Sequence, residues 1–194
     1  MIMGIGLILS SLGADDFWSK AMDIHYQHRV ALFNSLKIKQ GSKVFIGDSI
    51  TEQCIWNELF EDNTLINRGI GGDITEKVLS RLDFLDSTKP STVFLMIGTN
   101  DTKKPTPLDI YEDNMRQLIL SIRVNGMIPI VATLPDLKFT PYYAKNRDWI
   151  SKYNKVIVTM SKKLAFLICE MDNLSEHLID GVHFTNKGYK EIAK

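Results

Sequence analysis

The sequence predicts a single α/β domain, 1–194, in which helices cover both faces of a five-stranded parallel sheet. Short apolar runs alternate with segments of helical period, and no repeat or low-complexity stretch interrupts the chain. One run is apolar at every position from Val93 to Ile97. A strand with one face in water would alternate polar and apolar residues, so this run indicates burial on both faces. Strand–helix–strand alternation is typical of a parallel, three-layer α/β/α sandwich.

The individual elements follow in chain order. The predicted strands are Lys43–Gly47, Thr64–Asn67, Thr92–Ile97, Ile128–Thr133 and Ala165–Cys169. The predicted helices are an N-terminal one over 16–37, three with apolar stripes over 74–85, 111–122 and 149–164, and a last one from about Asn186. Asp73 and Glu76 have the spacing of a capping box at the start of the second helix. Asn125 and Gly126 are suited to end the third.

Charge and cysteine content exclude several classes of protein. Lys+Arg and Asp+Glu both number 23, and this balance argues against a broad nucleic-acid-binding surface. Cys54 and Cys169 have neither metal-site nor redox spacing, and unpaired thiols are expected, with Cys54 in the core. Neither a phosphate-binding loop nor a dinucleotide fingerprint occurs, and the scattered His, Asp and Glu residues do not fit a metal site. We therefore expect no cofactor and no metal.

The N-terminal segment leaves the cellular location open. Residues 1–14 are apolar and resemble a short signal segment, but they carry no Lys or Arg. The apolar run is also far too short to span a bilayer, and no other segment qualifies as an integral membrane span. Cytoplasmic and exported locations both remain open.

Four groups of polar residues follow predicted strands. Three come directly after the first, second and third strands, and the fourth comes after the loop that follows the fifth strand. These groups are Gly47-Asp48-Ser49-Ile50-Thr51, Asn67-Arg68-Gly69-Ile70-Gly71-Gly72-Asp73, Gly98-Thr99-Asn100-Asp101 and Asp180-Gly181-Val182-His183. In open parallel sheets the binding site lies beyond the carboxyl ends of the strands. We therefore expect the four groups to meet at one edge of the sheet.

The residue types at this edge favour nucleophilic acyl chemistry. A serine hydroxyl needs a base, and Ser49, His183 and Asp180 supply nucleophile, base and the carboxylate that orients the base. An acyl transition state also needs hydrogen-bond donors for its oxyanion. Suitable donors are the backbone N–H groups of Ser49 and Gly72 and the side-chain amide of Asn100.

Several of these residues also have plain structural interpretations. Ser49 and Glu52 have capping-box spacing, so Ser49 could act only as a helix cap. Asp48 and Asp101 are expected to organise loops, and Asp73 to cap a helix. His177, which has only Glu176 beside it, is a weaker alternative base. His25 and His28 belong to the first helix and are expected to be surface or packing residues.

Substrate-pocket candidates are less specific. Trp56 and Arg68 could line a pocket, while a buried tryptophan and a surface salt bridge are equally good explanations. The segment from Leu134 to Asp148, with Tyr142 and Tyr143, follows the fourth strand and is a candidate specificity loop. A plain solvated loop explains it as well.

Taken together, the four groups resemble the blocks of the SGNH, or GDSL-type, hydrolase family. The residues for which that family is named would be Ser49, Gly72, Asn100 and His183. The stretch 67–82 and the helix before the first strand are similar to the branch with the platelet-activating-factor acetylhydrolase catalytic subunits and bacterial acyl-esterases. The resemblance implies a flavodoxin-like sheet and metal-free, two-step acyl transfer to water. Ile50 stands where the family name has leucine.

Three functions follow from this pattern. The first is a serine esterase acting on a small acyl ester, acetyl or short-chain, on a carbohydrate or lipid. The second is an acyltransferase that uses the same acyl-enzyme with another acceptor. The third is a glycan-binding module that keeps the fold without catalysis. The oligomeric state, the acyl length and the alcohol part of the substrate are not determined by the sequence.

Overall fold

The computed structural model describes residues 3–138 and 146–194, in two compact units, Met1–Leu36 and Lys37–Lys194. The first unit is formed by one helix, α1 (Met3–Ser35), which begins well before the predicted start at 16. No helix in the described ranges is long and apolar enough to cross a membrane. A single domain over 1–194 stays a prediction.

The second unit is built on a parallel sheet of five strands. The strands are β1 (Lys43–Gly47), β2 (Leu65–Gly69), β3 (Thr92–Met96), β4 (Ile128–Ala132) and β5 (Leu167–Cys169). Their order is β2-β1-β3-β4-β5, and every neighbouring pair is parallel. The sheet therefore confirms the predicted α/β class. Since β1 lies between β2 and β3, the winding direction reverses there, where such sheets form their binding crevice.

Helices connect the strands and cover both faces of the sheet. They are α2 (Ser49–Glu52), α3 (Trp56–Leu59), α4 (Thr75–Leu79), α5 (Phe84–Thr88), α6 (Leu108–Val124), α7 (Asp148–Leu164) and α8 (Asn186–Ile192). Short 3-10 turns occur at Asn100–Thr102 and Asp172–His177.

The alternation of side chains along β1 produces two separate cores. Val44 and Ile46 belong to the larger core, which includes the apolar faces of α6 and α7. Phe45 points to the other face and packs with Cys54, Trp56 and Leu65. Because successive side chains of a strand lie on opposite faces, the central strands are buried on both sides, as the apolar run in β3 predicts.

The single helix predicted over 74–85 is wrong. The structure contains two short helices, α4 and α5, with a break in which Arg81 turns inward. Arg81 Nε donates to Asp73 Oδ2 at 2.8 Å, and Arg81 Nη2 donates to the carbonyl oxygen of Gly47 at 3.3 Å. The apolar stripe continues across the break because Val78, Leu82 and Leu85 remain core residues.

The capping box predicted for Asp73 and Glu76 does not form. The first residue before α4 is Ile74, which provides no side-chain cap. Asp101, from the loop after β3, takes this role instead. Its Oδ2 accepts from the backbone N–H of Thr75 at 3.0 Å, and its Oδ1 accepts from the Thr75 hydroxyl at 2.7 Å. Asp101 is thus a loop organiser, as expected, and also links β3 to α4.

The strand predictions are accurate except at their ends. The fifth strand begins at Leu167 and not at Ala165, because Ala165 ends α7 in a left-handed backbone conformation with φ 52°. Asn125 and Gly126 close α6 as predicted, with Gly126 at φ 78°. These differences leave the order of the functional segments unchanged.

Candidate active site

Three residues from opposite ends of the unit form a continuous hydrogen-bond chain at the carboxyl edge of the sheet. Ser49 is the first residue of α2, directly after β1, and its side chain is partly exposed. Its Oγ lies 2.8 Å from His183 Nε2. The other ring nitrogen, His183 Nδ1, lies 2.6 Å from Asp180 Oδ2. With the Nδ1 proton directed at Asp180, Nε2 is free to accept the serine proton.

The loop that holds His183 is shaped by its own carboxylate. Asp180 Oδ1 accepts from the backbone N–H groups of Val182 at 3.0 Å and His183 at 2.8 Å. An antiparallel bridge between Leu178 and Phe184 closes the base of this loop. Partial burial raises the pKa of Asp180, but the hydrogen bonds from His183 and Val182 outweigh it, and the net pKa lies below its usual value. Asp180 is therefore a charged acceptor at neutral pH.

The alternative histidines do not share this geometry. His177 lies in the preceding 3-10 turn, with its Nε2 3.3 Å from Glu176. His25 and His28 belong to α1. Among the contacts described, Ser49 Oγ pairs with His183.

Ser49 is not the cap of its helix, so that alternative is wrong. The cap is Asp48, whose Oδ1 accepts from the backbone N–H of Ile50 at 2.9 Å. Asp48, which was expected to organise a loop, thus has a structural role as the cap of α2. The Ser49 hydroxyl is consequently not engaged by the backbone of its own helix and faces His183.

The three predicted oxyanion donors belong to three segments, namely the start of α2, the loop after β2 and the turn after β3. The N–H of Ser49 lies in the first turn of α2, where N–H groups have no helical partner. Gly72 has φ 82°, a conformation that favours glycine. Asn100 begins the turn after β3, and its Nδ2 donates to the Asp73 carbonyl at 3.0 Å and lies 3.4 Å from Asp48 Oδ2. The Asn100 amide is thus held in place by the loop after β2.

The turn from β1 into α2 requires a glycine. A Cβ atom at Gly47 would collide with Thr51 Oγ1 and with the carbonyl oxygen of Met96. This close approach packs α2 against the end of β1, and Asp48, the residue before Ser49, lies 3.4 Å from Asn100 Nδ2 in the turn after β3. Any larger residue at position 47 would displace the segment that carries Ser49.

Asp48 is a buried carboxyl group beside the candidate nucleophile. Only 1% of its surface is exposed. Burial raises its pKa to about 7, the Ile50 N–H opposes this, and the nearby Asp73 adds to the rise. Since an unfolded aspartate ionises near pH 3.8, the folded protein keeps this proton over a pH range in which the unfolded chain has lost it.

This difference in pKa predicts that the free energy of unfolding depends less on pH in Asp48→Asn than in the wild-type protein. Between pH 5 and 7 the folded state binds one more proton than the unfolded state, so wild-type unfolding free energy falls with rising pH by about 1 kcal/mol per pH unit through this group. Asparagine keeps the acceptor for Ile50 but does not ionise. Urea unfolding of both proteins at pH 5, 6 and 7 should therefore show a flatter slope for Asp48→Asn.

Asp62→Asn is the matched control for that comparison. Asp62 pairs with Lys43, and hydrogen bonds from Lys43 and Thr64 lower its pKa to about 2. Both its folded and unfolded values lie below pH 5, so this substitution should leave the slope above pH 5 unchanged. Equal slopes for wild type and Asp48→Asn would contradict the assignment of the slope to Asp48.

The predicted pocket residues lie elsewhere or outside the described ranges. Trp56 is 2% exposed, stacks on Phe45 with ring centroids 4.2 Å apart, and donates from Nε1 to the Thr51 carbonyl. It lines an apolar cavity of about 60 Å³ whose lining does not include Ser49, Asp180 or His183.

Arg68 is also buried and is not the surface residue considered above. It lies in β2, 5% exposed, and donates from Nη1 to the Asn67 carbonyl at 3.0 Å. Tyr142 and Tyr143 lie outside the described residues. Cys54 is buried, as expected, but follows α2 and is not part of it.

Several supporting residues have no local sequence signature. Asn67 Nδ2 donates to the carbonyls of Thr51 and Cys54, at 2.8 and 2.9 Å, and so fixes the end of α2. The backbone N–H of Lys138, in the loop after β4, donates to the Gly181 carbonyl at 3.0 Å. Both contacts join segments distant in sequence, and an amide or a backbone group gives no pattern from which they could be predicted.

Comparison with known proteins gives the same family as the resemblance of the sequence motifs. Residues 45–191 match the GDSL-like lipase/acylhydrolase family. The chain is 30% identical over 177 residues to platelet-activating factor acetylhydrolase IB subunit alpha2 of Homo sapiens, covering 81% of this chain and 75% of that one.

Solved structures show the same fold. A Streptococcus pneumonia protein described as a platelet activating factor superposes with a TM-score of 0.78 at 21% identity, covering 96% of this chain and 95% of that one. An acetylxylan esterase from Geobacillus stearothermophilus superposes with a TM-score of 0.64 at 22% identity, and the match covers 81% of this chain and 93% of the esterase. The chain therefore belongs to the GDSL-like lipase/acylhydrolase family and is a carboxylic ester hydrolase.

Proposed function

We propose that this protein hydrolyses a small acyl ester, acetyl or short-chain, through a Ser49–His183–Asp180 acyl-enzyme mechanism. The observation that supports this most strongly is the chain of contacts from Ser49 Oγ to His183 Nε2 at 2.8 Å and from His183 Nδ1 to Asp180 Oδ2 at 2.6 Å. Both distances lie within the range for proton transfer between positioned groups.

In the first step His183 takes the hydroxyl proton as Ser49 Oγ attacks the ester carbonyl. The carbonyl oxygen becomes an oxyanion, for which the donors are the N–H groups of Ser49 and Gly72 and the Asn100 Nδ2 hydrogen that is not donated to the Asp73 carbonyl. His183 then gives its proton to the departing alcohol, which leaves an ester on Ser49. Asp180 stabilises the imidazolium and holds the ring in the productive tautomer.

In the second step water replaces the alcohol. His183 removes a proton from water as its oxygen attacks the acyl carbon, and returns that proton to Ser49 Oγ as the acid departs. The products are one carboxylic acid and one alcohol, and the protein returns to its starting state.

The choice of a small acyl group is supported by the printed descriptions of the relatives. The curated relative is described as an acetylhydrolase, and a solved neighbour as an acetylxylan esterase.

A fluorophosphonate probe tests the proposal directly, since it modifies serines activated by a base. Peptide mapping should find Ser49 modified, while Ser161, which only donates to the Val158 carbonyl on α7, stays unmodified. A series of p-nitrophenyl acetate, butyrate and octanoate should give the highest kcat/KM for acetate. Modification at another serine, or none, would remove the basis for the mechanism; a preference for octanoate would contradict the acyl size.

A further inference from the structure

The helix that carries Ser49 has one turn, and its end is held by side chains from elsewhere. A helix leaves its last carbonyl groups without partners in the helix. In α2 the Thr51 carbonyl accepts from Trp56 Nε1 and Asn67 Nδ2, at 2.9 and 2.8 Å. The Ile50 carbonyl accepts from the hydroxyl of Tyr189 at 2.7 Å. Tyr189 thus contacts the residue directly after the proposed nucleophile.

Tyr189 also belongs to the segment that follows the proposed base. It lies in α8, whose cap Thr185 is two residues after His183 and accepts from the backbone N–H of Gly188 at 3.1 Å. The Thr185 N–H donates to the His177 carbonyl at 2.8 Å, so the loop and the start of α8 are joined on both sides of His183. The position of α8 is therefore coupled to the position of the imidazole.

We infer that Tyr189 is a positioning residue that sets the distance between Ser49 and His183. Its hydroxyl joins the turn that bears the nucleophile to the helix that follows the base, through a single hydrogen bond. The inference rests on the proposed function, because it assigns a role to an alignment that matters only if Ser49 and His183 react together.

The hydrogen bond from the Tyr189 hydroxyl to the Ile50 carbonyl is held at a fixed length by its surroundings. The Tyr189 ring packs edge-on against Trp56 and Phe184, with centroids 5.9 and 5.7 Å away. Burial raises the pKa of the Tyr189 hydroxyl, so that it remains a donor throughout the working pH range. Ser49 and His183 are 134 residues apart, so no short stretch of chain sets their separation. A misplacement of about 1 Å in such a pair can cost on the order of 100-fold in rate.

Tyr189→Phe removes the hydroxyl and keeps the ring packing. We expect kcat for p-nitrophenyl acetate and the rate of fluorophosphonate labelling to fall together by about 10-fold, because both depend on the Ser49–His183 alignment, with KM little changed. The final extent of labelling should still reach that of wild type. A loss of folded protein would instead lower the extent and leave the rate of the folded fraction unchanged.

Tyr153→Phe is the matched control. Its hydroxyl also donates to a backbone carbonyl, that of Thr106, at 2.8 Å, and lies 3.4 Å from the Asp101 carbonyl in the turn after β3. It belongs to α7 and joins no segment that bears Ser49 or His183. This variant should lose similar thermal stability and keep the wild-type rates. The inference would be overturned if Tyr189→Phe were labelled at the wild-type rate, or if only its extent of labelling fell. It would also be overturned if Tyr153→Phe were slowed equally. Failure of wild type to be labelled at Ser49 would instead overturn the proposed function.

Discussion

Replacing Ser49 by alanine is expected to lower kcat for p-nitrophenyl acetate by about 10⁶-fold. The substitution removes the only atom that His183 Nε2 contacts on this residue and prevents formation of an acyl-enzyme. In serine hydrolases, loss of the nucleophile costs about as much as loss of all three catalytic residues, because they act as a unit. The remaining rate over water comes from the oxyanion donors and from binding.

Folding of the Ser49→Ala variant should be unaffected, which makes the result interpretable. Asp48, and not Ser49, caps α2, and alanine is well tolerated in a first helical turn. Ser161→Ala, on the outer part of α7, is the control and should keep full activity. Steady-state rates with purified variants of equal melting temperature measure the effect. A Ser49→Ala enzyme within 10-fold of wild type would show that the reaction uses another nucleophile.

Asp180→Asn is expected to lower kcat by about 10⁴-fold. Asparagine can still accept the backbone N–H groups of Val182 and His183, so the loop keeps its shape. Its amide group then faces His183 Nδ1 and favours the tautomer with the proton on Nε2. That nitrogen cannot accept the proton of Ser49, and the charge that stabilises the imidazolium is lost as well.

The control for Asp180→Asn is Asp62→Asn, which changes a similar pair away from the carboxyl edge. Asp62 precedes β2, contacts Lys43 at 2.8 Å through one oxygen and the Thr64 N–H at 2.9 Å through the other. Its substitution should leave kcat unchanged. KM should change little in either variant, because the proposed role of Asp180 lies in the transition state. A fall in kcat of less than 10-fold in Asp180→Asn, or an equal fall in Asp62→Asn, would argue against a role of Asp180 in orienting His183.

The fold and the meeting of Ser49 with His183 were predictable because they depend on local patterns and one topological rule. The apolar run in β3 indicates burial on both faces, and the carboxyl edge of a parallel sheet collects the segments after its strands. These two facts place Ser49 and His183 together although no contact between them is visible in the sequence. The structure adds that the Ser49 hydroxyl is left available because Asp48 takes the cap.

Features that depend on distant partners were not predictable. The break between α4 and α5 accompanies the inward turn of Arg81 toward Asp73 and Gly47, which an apolar stripe does not reveal. Asp101 caps α4 from 26 residues away, so a capping box sought nearby selects the wrong aspartate. Trp56 has the size and polarity of a pocket residue, and only its stacking on Phe45 assigns it to the core.

The separation of Ser49 from His183 along the chain also makes activity a measure of complete folding. Ser49 follows the first strand, but its proposed base lies 134 residues later, beyond β5, in the loop closed by the Leu178–Phe184 bridge. During synthesis, a chain without this last segment holds a serine that has no base. Under the proposed mechanism, acylation by a reactive ester therefore requires the loop that carries His183 to be in place, and the appearance of labelling would time its closure in the newly made protein.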